Sequence, residues 1–190
     1  MGESIKRIVG PYQDSYSPNG IIGEKDACGV GFIANVEGIE SNWILKQSLK
    51  GLNCMEHRGG CGGDSDSGDG AGILCSIPWG YLEEEINLKN TQEFNRGLGM
   101  VFMPNKKEKI EICKSICDEE AEKLKVNKTS WRTVPVNNEI LGPLAKANAP
   151  FICQWILYID KKDHKDVERL LFQLRKRIEK KIRETFKNDV

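Results

Sequence analysis

Apolar residues follow two periods along this chain, and the changes from one to the other outline its elements. Spacing by three and four marks helices, whereas short unbroken apolar runs mark buried strands. The first such run is 28–36, Cys-Gly-Val-Gly-Phe-Ile-Ala-Asn-Val, which predicts a buried strand. Ser41 then caps a helix with Ile44, Leu45, Leu49, Leu52 and Met55 on one face, ending near His57. Residues 71–77, stopped by Pro78, and 97–103, stopped by Pro104, predict two further strands. Over 106–124, Ile110, Cys113, Ile116, Cys117, Ala121 and Leu124 share one helical face. Residues 131–136 read as short and extended, and 151–159 as a buried strand. A long amphipathic helix over 163–186 turns Val167, Leu170, Leu171, Leu174, Ile178, Ile182 and Phe186 inward. Strands joined by short turns and mixed with helices imply an α+β fold, with helices packed on sheet layers rather than a βαβ series.

Composition narrows the classes. The 190 residues are enough for one domain with a real core, and 39% apolar with 29% charged residues suits a globular chain. Lys+Arg and Asp+Glu balance at 28 each, so no net field favours nucleic acid or an anionic membrane as a partner. No apolar run reaches the roughly 20 residues that span a bilayer. Residues 1–27 are polar, without periodicity, and punctuated by Pro11, Pro18, Gly20 and Gly23. They lack the apolar stretch of a secretory signal, which makes the cytoplasm or a comparable reducing compartment the expectation. The seven cysteines are therefore read as free thiols, and the sequon Asn127-Lys128-Thr129 as unused.

One of those thiols stands in unusual company. Cys28 directly follows the polar leader, and Gly29 and Gly31 leave room for a substrate to reach it. A thiolate nucleophile needs a proton acceptor or a lowered pKa, and no His adjoins Cys28. Removal of 1–27 would give it an α-amino group as base, with an ordinary pKa of about 7.7–8.0. The plainer reading is a small buried hydrophobe.

The second unusual stretch is the loop 59–72, in which seven of fourteen residues are glycine. It lacks the lysine of a phosphate cradle and carries Asp64, Asp66 and Asp69 instead. Asp64-Ser-Asp66-Ser-Gly-Asp69 faintly evokes a calcium loop but lacks the closing Glu. Cys54, His57, Cys61 and Cys75 offer zinc-ligand types at spacings unlike paired knuckles, leaving a non-catalytic metal module as one alternative. A structural turn exploiting positive φ is another. Cys113 and Cys117, one turn apart on an apolar helix face, read as core.

Together these segments, 26–34 and 55–73, resemble the start of glutamate synthase large chains, which once matured begin Cys-Gly-Val-Gly-Phe and continue to a His-Arg-Gly loop ending Gly-Asp-Gly-Ala-Gly. The sparser pattern of class II glutamine amidotransferases matches Cys28-Gly29, Arg58-Gly59 and Asp69-Gly70-Ala71-Gly72. The loop's Gly-Gly-Cys-Gly, the following Ser76-Ile-Pro-Trp79, Trp131-Arg-Thr-Val-Pro-Val136 and Leu171-Phe-Gln-Leu-Arg-Lys-Arg-Ile178 resemble the ferredoxin-dependent type. The resemblance covers nearly the whole chain. It implies a four-layer αββα sandwich of the N-terminal nucleophile hydrolase kind, with 1–27 as leader and 28–190 as the first part of the amidotransferase domain. It makes Cys28 the nucleophile on L-glutamine and gives Arg58 and Gly59 to the glutamine pocket. Asp69, Gly70 and Gly72 become loop-structuring residues, with Asp69 accepting backbone N–H groups, and His57 is structural.

No cofactor or metal is expected within this stretch. FMN, an iron–sulfur cluster and ferredoxin are implied for the complete enzyme, as is the remainder of the chain as partner, with a cytoplasmic or plastid-stromal setting. Against the family pattern, the only Asn-Gly pair is Asn19-Gly20, inside the leader, so the oxyanion donors and α-carboxylate-binding residues are expected beyond Val190. On that expectation the sandwich is incomplete here and this stretch alone is inactive. A stand-alone amidohydrolase of the same nucleophile type remains the enzymatic alternative.

Overall fold

Residues 29–55, 59–60, 64, 66–68, 70–87, 93–160 and 163–187 are described by the computed structural model. The chain divides into two units, 1–60 and 61–190. In the first, helix α1 (Asn42–Asn53) starts where expected, with the Ser41 hydroxyl accepting the Ile44 N–H at 3.4 Å. None of its residues is buried, and Leu49 on its expected inner face is exposed.

The second unit is organised around one strand. Its elements run α2 (Trp79–Glu85), β1 (Phe94–Met103), α3 (Lys107–Lys123), β2 (Lys128–Thr133), α4 (Pro143–Ala147), β3 (Phe151–Asp160) and α5 (His164–Thr185). β3 lies between β1 and β2 and is antiparallel to both, with Leu157 opposite Gly97 and Trp155 opposite Trp131. A strand covered on both faces loses alternation and reads as continuous apolar sequence, as 151–159 does. Trp155, Leu157 and the α-helical Cys117, Ala121 and Leu174 form one buried cluster. On the opposite face Ile156 and Tyr158 pack against Leu82 of α2. Gly97 lets α5 approach the sheet closely, since a Cβ there would lie 2.8 Å from the Leu171 side chain.

Polar groups tie these layers together. The Asp118 carboxylate accepts the Trp131 and Trp155 indole N–H groups at 2.9 and 3.1 Å and the Thr129 hydroxyl at 2.8 Å. It thereby fixes α3 to two strands whose indoles stack 5.4 Å apart. Buried Glu120 accepts from Lys123 at 2.6 Å and from Arg177 of α5 at 2.7 Å. Asn127 bridges strand ends: its amide donates to Asp160 and its side-chain oxygen accepts the Asp160 N–H. The sequon is thus engaged in strand pairing through both Asn127 and Thr129.

Several expectations need correction. Of the expected strand 28–36 the described residues, 29–36, form none, nor do residues 71–77, and Phe32 and Leu74 are exposed. An apolar run specifies a strand only where a ladder partner exists, and none pairs with these segments among the described residues. The first run also breaks at a turn, in which Gly38 (φ +71°) donates to the Asn35 carbonyl. The expected extended segment 131–136 is displaced to 128–133, and the strand expected from Gly97 begins at Phe94. Helices α2 and α4 were not anticipated. Each is under two turns long, too short for a periodic stripe. The connections are longer than the expected short turns, for α3 lies between β1 and β2. The described architecture is α+β: one small antiparallel sheet, with α3 and α5 on one face and α2 on part of the other.

Candidate functional site

Cys28, His57, Arg58, Cys61 and Asp69 lie outside the described residues. Of the other motif positions, Gly59 and Gly29 are exposed. Gly70 adopts φ +81°, a left-handed conformation that side chains disfavour. Gly72 has open space about its α-carbon. Cys54 and Cys75 are exposed free thiols, and Cys113, Cys117 and Cys153 are buried ones. Among the described residues no three metal-ligating side chains converge.

The part of the glycine loop that is described is anchored by Asp64. One carboxylate oxygen accepts the N–H groups of Asp66 and Ser67; the other accepts the Ser67 hydroxyl at 3.0 Å and the Leu144 N–H at 2.9 Å. Ser67, itself buried, accepts the Ala145 N–H at 3.1 Å. Leu144 and Ala145 are the second and third residues of α4, whose first N–H groups have no partner within the helix. Gly142, the residue before α4, offers no side chain to cap them. The loop supplies what the helix start lacks, across about 80 residues of sequence.

Electrostatics and shape both follow from that arrangement. The Leu144 N–H, aided by the Ser67 hydroxyl and the loop's own N–H groups, holds the Asp64 carboxyl below its usual range against the opposing effect of burial. With four donors on its two oxygens, Asp64 acts as an internal acceptor, unlike the cation ligand that the calcium-loop reading would need. Gly142 is required by the same packing. A Cβ on it would lie 2.7 Å from the Asp66 carbonyl carbon and the Ser67 nitrogen, backbone atoms that cannot swing aside.

Sequence reasoning gave loop anchoring to Asp69 and passed over Asp64, Ser67 and Gly142. The local signal was present: Asp-Ser-Asp-Ser is rich in side chains that bond backbone N–H groups, and Gly142-Pro143 has the form of a helix start. What no local pattern announces is that the two meet.

Comparison with known proteins agrees with the motif pattern. The family model described as "Glutamine amidotransferases class-II" matches residues 28–190. The chain is 42% identical over 166 residues to ferredoxin-dependent glutamate synthase 1, chloroplastic/mitochondrial, of Arabidopsis thaliana, covering 85% of this chain and 10% of that protein. It is 41% identical over 170 residues to ferredoxin-dependent glutamate synthase 2 of Synechocystis sp., covering 87% and 11%. The ferredoxin-dependent glutamate synthase of Pyropia yezoensis is 38% identical over 185 residues, covering 96% and 12%. The chain thus spans about a tenth of the length of these curated relatives.

Proposed function

Because the chain belongs to the class-II glutamine amidotransferases, we propose that it is the glutaminase part of a ferredoxin-dependent glutamate synthase, with Cys28 as nucleophile. The observation that carries this reading is that the family match starts at Cys28 itself and runs to the end of the sequence. Residues 1–27 are then a leader whose removal frees the Cys28 α-amino group, and 28–190 begin the amidotransferase domain.

The chemistry follows from that terminus. The α-amino group accepts the thiol proton as sulfur attacks the side-chain amide carbon of L-glutamine. The same group returns the proton to the departing nitrogen, so ammonia leaves and a γ-glutamyl thioester remains. Water, deprotonated by the amine, attacks the thioester carbon, releasing glutamate and restoring the thiol. Arg58 and Gly59 shape the glutamine pocket, while Asp69, Gly70 and Gly72 hold the loop; His57 is structural. In this reading the described sheet is one layer of an αββα sandwich completed by residues that follow.

In the whole protein the ammonia passes to 2-oxoglutarate, with electrons from ferredoxin, the partner that the relatives' names print. FMN and an iron–sulfur cluster belong to the remainder of the chain. The described residues do not fit a cluster, since no three ligating side chains meet, and no step above runs through either group. A reducing compartment, cytoplasm or plastid stroma, suits the reactive thiol, and the Arabidopsis relative's name gives a chloroplast and mitochondrial address.

The test is made in the full-length protein. Cys28→Ala should abolish glutamine-dependent glutamate formation and spare formation from added ammonia. Cys61→Ala should leave both. Glutamine-dependent turnover surviving Cys28→Ala, or lost in a well-folded Cys61→Ala protein, would refute the assignment.

A further inference from the structure

We infer that the cavity between β1, α3 and α5 is a binding site for a small amphipathic carboxylate, with its apolar body among the side chains and its charged end on Lys109. The apolar stripe of α5 runs from Val167 to Phe186 but is not covered evenly. Val167, Leu170 and Leu174 are buried, whereas Ile178, Ile182 and Phe186, further along the same face, are only half-buried. The sheet is equally incomplete there, since Val101 is half-buried and Phe102 exposed near the end of β1. Between them lies a cavity of about 340 Å³, walled on the α3 side by Cys113 and Cys117. That is about twice the roughly 150 Å³ that holds one benzene ring, so a ring carrying a short chain fills it.

Charge selects the ligand class. Among the described residues no carboxylate lines the cavity, but Lys109 does, with its ammonium 5.5 Å from the centre of the Phe186 ring. Its field reaches the interior: burial pushes the Cys113 thiol up, and the Lys109 charge opposes that push. Segments 106–109 and 180–187, which give Lys109, Ile182 and Phe186 to the lining, hold seven cations against two carboxylates, in a chain of zero net charge. Apolar walls with one placed charge are the usual make-up of a small-molecule site, the walls giving affinity and the charge orientation. A neutral ligand would use the walls alone; a carboxylate uses both. Every lining residue belongs to the second unit, and none has a part in the chemistry proposed for Cys28.

The experiment titrates the full-length protein by calorimetry with phenylbutyrate and with its neutral counterpart phenylbutanol. Phenylbutyrate should bind about tenfold more tightly, the gain from one charge-assisted contact at a partly screened site. Lys109→Met, which keeps the apolar stem, should erase that preference and leave phenylbutanol binding as it was; Lys109→Arg should restore it. Saturating phenylbutyrate should also protect Cys113 from iodoacetamide, which places the ligand in this cavity. Ile182→Trp, which fills the space from α5, should abolish binding of both compounds, and the Lys109 pair remains decisive if that variant does not fold. Absence of saturable binding at millimolar phenylbutyrate would overturn the inference. So would equal affinity for the acid and the alcohol, a preference surviving in folded Lys109→Met protein, or binding that leaves Cys113 alkylation unchanged.

Discussion

Cys54 and Cys117 are both free thiols, yet their surroundings separate their chemistry. Burial, with the neighbouring Asp118 and Cys113 adding to it, pushes the Cys117 thiol up to about 12. At pH 8 only about one Cys117 in ten thousand is then a thiolate, the form that reacts. A brief iodoacetamide pulse at pH 8, mapped by peptide mass spectrometry, should mark exposed Cys54 and Cys75 at least a hundredfold faster than Cys117. Labelling of Cys117 as fast as Cys75 would contradict the packing. The core role of Cys113 and Cys117 was legible, because a helical face states its own partners by spacing. Asp64 was not, because a carboxylate in a glycine loop looks alike whether it binds a cation, an amide or water. Only the fold brings Leu144 to it.

At the scale of elements, α3 carries two features open to test. It ends in a reverse turn in which the Val126 N–H reaches the Ala121 carbonyl, and Lys125 takes φ +58°, a position that glycine usually fills. Lys125→Gly should raise stability by about 0.5–1 kcal/mol in denaturant unfolding, since a left-handed side-chain residue costs roughly 1–2 kcal/mol and glycine returns part of that through chain entropy. A lower unfolding midpoint would count against that backbone conformation. The second feature is Glu120, whose carboxyl is held below its usual range chiefly by Lys123 and also by Arg177. A depressed folded-state pKa contributes stability above the unfolded value, about 4.3, and loses it as pH falls through the lower folded one. Glu120→Gln should destabilise by about 1.5–3 kcal/mol near neutrality and flatten the acid side of the stability curve below about pH 4.5. An unchanged slope there would remove Glu120 from the acid response.

The same scale shows which elements sequence could give. α3, β3 and α5 were readable nearly to their ends because each buries a continuous face and so repeats its signal for ten residues or more. α2 and α4 are held at scattered positions: Leu82 in the core, Arg96 on Glu83 and Trp79, Arg132 donating to Tyr81 and Glu85, and the Leu144 N–H donating to Asp64. Too few positions repeat for a period to show. The runs 28–36 and 71–77 misled in the other direction, since apolar character announces a tendency to be covered and not what covers it.

At the scale of the whole molecule, the second unit holds one packed antiparallel sheet, and the family match covers residues 28–190. Met100 and Phe102 stand exposed on the face of the sheet that α2 covers only in part, as do the apolar side chains of 30, 32, 36 and 74 elsewhere. The chain spans about a tenth of the length of the curated relatives it matches. The proposed reaction turns on a single atom, the sulfur of Cys28, and on the amine beside it. The most direct measurement treats the full-length protein with a glutamine analogue that carries an electrophilic carbon in place of the amide. The adduct is then located, and the N-terminus read, by mass spectrometry of the same chain. One adduct is expected, on Cys28, in chains whose first residue is Cys28 with a free α-amino group. An adduct on Cys61 or another thiol, or a Cys28 adduct formed as readily in chains that still begin at Met1, would contradict it.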